Sequence, residues 1–306
     1  MTELTADRQS RRPSAGDITL LLGVGLALGI LCVVLTAFAH FIYSYDGVSQ
    51  SALPPGFTTR ISVLIALGGV LYTLGYVHFK DVLPGRGRLA RGLLFGVVVF
   101  ISANASQMLG MIAFDLQGGF DLLSPAKIPT YLTVVQDGIP VLAVFGLLGL
   151  LYGPSRPREL QCPRHWVRMS ALTALAFPLG MLAVVEGLGV LVPRFDVFFS
   201  RPSLGASAPW FLTAFYGAFV ATGALLPLYY AMTHERIRGS FLRKGVVSGL
   251  LYSCFFWLII ANAIYAMGAP LWVCLVFSIE STAVLVAMFV LIAFLADRDV
   301  AHTASA

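Results

Sequence analysis

Charge is what this chain has least of. Only 11% of its 306 residues are Asp, Glu, Lys or Arg, against roughly 25% in a typical soluble domain. Such a chain cannot clothe a water-facing surface, which excludes an ordinary soluble enzyme or binding module. Cysteine is also sparse. Cys32, Cys162, Cys254 and Cys274 form no CxxC pair, and three of them lie in apolar stretches. A disulfide framework and a thiolate metal site are therefore not expected, and small buried hydrophobes are. No Walker loop, HExxH, GxSxG or aspartate-rich diphosphate motif occurs, which argues against the large enzyme classes that those motifs serve.

Two cofactor readings fail on placement. Haem held by two histidines needs them at one depth on facing helices. Here His40 lies at one end of a span, His78 and His234 at the other, and His165 and His302 in a loop and a tail. A retinal Schiff base needs a buried lysine, yet Lys80, Lys127 and Lys244 all sit at span ends. No cofactor and no metal are expected.

What the chain has is apolar length. It is 58% hydrophobic, with a mean hydropathy of +0.85. A helix needs about 20 residues to cross ~30 Å of hydrocarbon. Eight stretches qualify: 18–43, 61–79, 89–114, 129–152, 166–192, 210–232, 243–267 and 270–296. The expected fold is all-α, an integral membrane bundle of eight transmembrane helices. The first 15 residues and those after Arg298 are polar and read as disordered tails. The first stretch is long and has no convincing small-residue cleavage site after it, so it reads as a retained span.

The net charge of +5 does not indicate nucleic acid, because the basic residues lie in short loops between apolar stretches. Arg8, Arg11, Arg12; Lys80, Arg86, Arg88, Arg91; Arg156, Arg158, Arg164, Arg168; Arg236, Arg238, Arg243, Lys244; and Arg298 fall in alternate connections, 16 of the 20 Lys and Arg. Arg60, Lys127, Arg194 and Arg201 make up the other set. The positive-inside rule then places both termini in the cytoplasm, and a bacterial inner membrane is the expected setting.

The two halves resemble each other. Arg91-Gly92-Leu-Leu-Phe-Gly96 parallels Lys244-Gly245-Val-Val-Ser-Gly249, with both glycines 153 residues on. Tyr76-Val-His78 and Tyr230-Ala-Met-Thr-His234 each precede a short basic loop, and Asp46 and Asp196 close the first and fifth spans. Four spans per half give both halves one topology, as in parallel transporter repeats. The divisions are 1–15, a cytoplasmic tail; 16–153 and 154–298, the two four-helix halves; and 299–306, a second tail. Gly92, Gly96, Gly245 and Gly249 form GxxxG pairs, a helix-packing signal.

Three carboxylates, Asp137, Glu186 and Glu280, lie inside the apolar stretches. A charged side chain at a helix centre costs roughly 2.5–3.5 kcal/mol on insertion scales, so each should face protein or a water-filled cavity. Counted from Pro129, Pro193 and Pro270 by helical rise, the three lie ~12, ~10 and ~15 Å from the outer surface. Asn104, Ser106, Gln107, Gln136 and Asn262 share that slab, with His40 nearer the surface, and the cytoplasmic half is poorer in such groups. Asp137-Gly138-Ile139-Pro140 suggests either an opened fourth span beside a carboxylate, the kind of break that builds sites in transporters, or an ordinary proline kink with a snorkelling Asp near the interface.

The expected site is an outward-facing polar cavity lined by Asp137, Glu186, Glu280, Gln107, Asn104, Asn262 and Gln136. It suits a proton, a hard cation or a small polar solute. The first functional reading is a small transporter or channel-like protein. The alternative is a non-catalytic membrane subunit or assembly partner of a larger complex. A lipid-handling enzyme using the carboxylates as acid and base is a weaker third. The expected partners are the bilayer, other membrane subunits or a second copy of this chain.

Overall fold

In the computed structural model, residues 14–42, 56–101, 128–159, 166–191, 208–266 and 271–304 are described. They form eight helices and no strands: α1 (Ala15–Ile42), α2 (Phe57–Phe79), α3 (88–101), α4 (Ile128–Tyr152), α5 (Trp166–Leu191), α6 (Ala208–Thr233), α7 (Phe241–Ala266) and α8 (Leu271–Ala304). Three helical stretches among the described residues are long and apolar enough to cross a membrane: Ala15–Ala37, Ser62–Phe79 and Ser278–Arg298. Gly138–Tyr152 and Val167–Met181 are shorter apolar stretches.

Local chemistry sets the ends. At the start of α1 the Ser14 amide and hydroxyl donate to Asp17 Oδ2 at 2.9 and 2.8 Å, and the Asp17 amide returns a bond to Ser14 Oγ at 3.2 Å. This reciprocal capping box satisfies amides that the first turn leaves idle. α4 runs through Pro140, α5 through Pro178 and α6 through Pro227. The Gly138–Pro140 segment therefore does not open α4, which leaves the second of the two readings, a proline within a continuous helix. A proline removes one helical hydrogen bond, and neighbouring helices can hold the rest of the ladder together. The polar tail differs from expectation, since α8 continues past Arg298 to Ala304.

Small residues decide how the helices pair. α1 and α2 run antiparallel, and a Cβ added at Gly29 would lie 2.1 Å from the Ala66 carbonyl oxygen. α5 and α6 close the same way at Gly223, where a Cβ would lie 2.4 Å from the Thr173 carbonyl oxygen. Gly92 and Gly96 of α3 lie against Phe145 of α4, and Gly245 and Gly249 of α7 lie against Val290 and Val286 of α8. Close backbone approach of this kind replaces the hydrophobic drive that lipid cannot supply. Beyond these hairpins α1 packs on α4 and α5 on α8, α2 on α4 and α6 on α8, and α2 meets α7.

The outward faces are apolar. Leu20, Val34, Val63, Leu67, Leu175, Leu179 and Ile279 are each more than half exposed. So much uncovered apolar surface is untenable in water and natural in a bilayer.

Candidate functional site

The buried hydroxyls separate into two kinds. Thr73, Thr173, Thr233 and Ser253 are buried, and each donates back to the carbonyl four residues earlier at 2.7–2.8 Å. Such a hydroxyl is satisfied by its own helix and needs nothing from outside. A second set has no hydrogen-bond partner among the described residues: Glu280 Oε2, Ser278 Oγ, Ser248 Oγ, the hydroxyls of Tyr76, Tyr229 and Tyr230, and Arg91 Nε. An unmade hydrogen bond on a buried group costs about 1–3 kcal/mol, more for a charged one. These atoms are therefore the ones to which water or a ligand would be worth most.

Glu280 is the only acid of the expected triad with a described side chain. It sits in the apolar stretch of α8, one residue from buried Ser281 and two from buried Ser278. Simple pairing with a nearby serine or backbone group would have explained Glu280 away. Its Oε2 atom is buried with no such bond among the described residues.

Asp137 and Gln136 lie in α4, Glu186 in α5, Asn262 in α7 and His40 in α1, but their side chains fall outside the described residues. Asn104, Ser106 and Gln107 lie outside them altogether. Helix register still constrains two of the acids. A Cβ at Gly180 of α5 would lie 2.9 Å from Val284 Cγ1 of α8. Glu280 is one turn from Val284, about 6 Å by helical rise, and Glu186 is six residues from Gly180, about 9 Å. α5 and α8 thus carry these two positions at nearby levels, displaced from the Gly180 contact toward the start of α8.

The other end of the core departs from the sequence reading, which held it poor in polar groups. Tyr76, Tyr229, Tyr230 and Tyr252 are buried there, together with Ser248 and Arg91. Their rings interlock with phenylalanines from both halves: Tyr229 lies 6.3 Å from Phe79, 6.2 Å from Phe95, 4.9 Å from Tyr252 and 5.8 Å from Phe289. Tyrosines pass as apolar in a hydropathy scan, so their spacing gave no warning of this layer.

Arg91 is a further correction. It counts among the basic loop residues in sequence, yet it is 2% exposed. It donates from Nη1 to the Lys80 carbonyl at 3.3 Å and from Nη2 to the Arg156 carbonyl. Its counterpart Lys244, by contrast, reaches a carboxylate, Asp297 Oδ1, at 3.2 Å. The cysteines split as well: Cys32 is buried and Cys254 is exposed, so Cys254 does not fill the core.

Above the ring layer three connections meet. Gly85 and Arg158 exchange backbone hydrogen bonds of 2.8 and 3.1 Å. Gly85 has a φ of 142°, a conformation that suits a residue without Cβ, and Arg91 Cγ already lies 2.7 Å from where a Cβ would go. The Arg158 side chain donates to the Asp81 carbonyl at 3.3 Å and ion-pairs with Glu235 of the turn His234–Arg236. Arg88 Nε donates to Ser155 Oγ at 3.1 Å. The connections after α2, α4 and α6 are thereby gathered on one face.

Comparison with known proteins gives no family: no family model, no curated protein and no solved structure matches the chain.

Proposed function

We propose that the chain is a small transporter or channel-like protein that moves a proton, a cation or a small polar solute, with Glu280 at its site. The observation that carries this reading is the buried carboxylate oxygen of Glu280, which has no hydrogen-bond partner among the described residues. A carboxylate oxygen buried in an apolar helix without a hydrogen bond is costly to stability, and ionisable residues kept at such places mark binding or ion pathways. Asp137 and Glu186, with Gln136, Asn262, Asn104 and Gln107, complete the site in this proposal, which opens to the outer side.

The architecture proposed with it is eight spans in a bacterial inner membrane, with both termini cytoplasmic. The gathering of three basic connections on one face supports that threading, because alternate connections then share a side. We further propose two parallel four-helix repeats. Each half pairs its helices in one scheme: first with second, third with fourth, first with fourth and second with fourth. Gly69 and Gly223, 154 residues apart, lie in equivalent helices and each abuts the helix before it.

A membrane subunit would offer its GxxxG faces as contact surfaces for its partner. Those faces are occupied within the chain, by α4 and α8, which weighs against it. Purified protein in proteoliposomes tests the choice. Proton or cation flux that is lost in Glu280→Gln supports transport. No flux from the native chain, together with a partner that co-purifies at fixed stoichiometry, supports the subunit.

A further inference from the structure

We infer that Arg158 is the clasp of a gate between the two halves, closed at the basic end of the bundle over a floor of aromatic rings. The inference rests on the transport reading for its purpose, and on independent contacts for its geometry.

One residue holds both sides. The Arg158 backbone is bridged to Gly85, and Nη1 reaches the Asp81 carbonyl, both in the turn that joins α2 to α3 of the first half. Nη2 bonds Glu235, in the turn that joins α6 to α7 of the second half. Arg158 itself lies in the connection between the halves. Among the described residues, this ion pair and its bonds span the two halves above the membrane face. The other cross-connection pair, Lys244 with Asp297, ties α7 to α8 inside one half.

Directly beneath, the halves touch through rings rather than backbone on backbone, and where Gly75 of the first half meets the second it is the Phe255 ring that lies against it. Phe79 and Phe95 of the first half meet Tyr229 of the second, and Tyr72 stacks on Phe255 at 6.1 Å. Contacts within each half bring backbones together, as at Gly92 and Gly245. Rings can slide and part, whereas interlocked backbones cannot without unpacking. The floor also closes over idle polar atoms, the hydroxyls of Tyr76 and Tyr229 and Ser248 Oγ. Opening would return them to water, so the closed arrangement is opposed from within. The clasp is a matching device: its side chains are 34% and 38% exposed, and an exposed ion pair biases an equilibrium without freezing it.

The test uses the full chain in detergent and in vesicles. A cysteine is placed in the floor as Ser248→Cys or, independently, as Thr233→Cys, both fully buried positions. Labelling by a membrane-impermeant maleimide is read at that residue by mass spectrometry, so the native cysteines stay. The clasp is opened with Glu235→Gln, an exposed change that leaves the backbone bridge alone. Labelling should rise about two- to fivefold, the population shift an exposed ion pair can bring. The exchange Arg158→Glu with Glu235→Arg should bring it back down. Added salt should raise labelling in the native background and not in Glu235→Gln. Equal labelling in all backgrounds at both reporters overturns the gate. Solute flux is measured on the same samples. Flux with unresponsive labelling sinks the gate and spares the transport reading; responsive labelling without flux does the reverse.

Discussion

Gly92 of α3 lies so close to Phe145 of α4 that a Cβ on it would stand 2.0 Å from the Phe145 carbonyl oxygen. The clash would be with backbone, so no side-chain rotation relieves it. Gly92→Val should therefore lower thermal stability in detergent sharply, by about 3 kcal/mol or more if the helices must part. Gly23→Ala is the control. Nothing lies within 4 Å of a Cβ there, and alanine is favoured over glycine in a helix by about 0.5–1 kcal/mol. A melting series in which Gly92→Val is tolerated and Gly23→Ala is harmful would contradict the packing described.

The counterparts Arg91 and Lys244 should not cost the same. Arg91 is buried and its guanidinium serves two backbone carbonyls. Arg91→Ala strands those carbonyls and should cost about 3 kcal/mol, at roughly 1.5–3 kcal/mol per bond to a charged group before relaxation. The Lys244–Asp297 pair is partly exposed, so Asp297→Ala should cost below about 1 kcal/mol and less in high salt. Thermal unfolding of the two variants at low and high salt separates them.

Tyr229 offers a test of sign. Its ring is buried against five others and its hydroxyl has no partner among the described residues. Tyr229→Phe should be neutral or stabilising, since it removes an unpaired polar group at constant shape. Tyr229→Ala should cost about 3–5 kcal/mol through the cavity it leaves. A marked loss in Tyr229→Phe would mean that the hydroxyl is bonded after all.

The shared face of the connections is testable by sidedness. Arg86→Cys, Arg156→Cys and Arg238→Cys, all at exposed positions, should label from one side of sealed vesicles, the cytoplasmic one. Labelling of any one from the opposite side would break the proposed threading.

The helices were largely legible in sequence because apolar length and loop charge are bulk properties. The predicted limits 61–79, 129–152 and 166–192 fall within a few residues of α2, α4 and α5. The exceptions have local causes. Pro140 lies within a continuous α4 because neighbouring helices can support the backbone around a proline, which a linear sequence does not display. The extension of α8 to Ala304 follows from helix continuing into polar sequence, which hydropathy cannot register. Glu280 was found because a carboxylate stands out among leucines. The tyrosine layer, the burial of Arg91 and the Arg158 clasp were not, because they depend on which turns and rings from distant parts of the chain meet.

Flux in proteoliposomes reads the role of Glu280 itself. With a pH-sensitive or cation-sensitive dye trapped inside, native protein should pass a proton or cation, Glu280→Asp should retain part of that flux, and Glu280→Gln should lose it. Glu159→Gln, an exposed acid outside the bundle core, should behave as native. Undiminished flux in Glu280→Gln would remove Glu280 from the transport path.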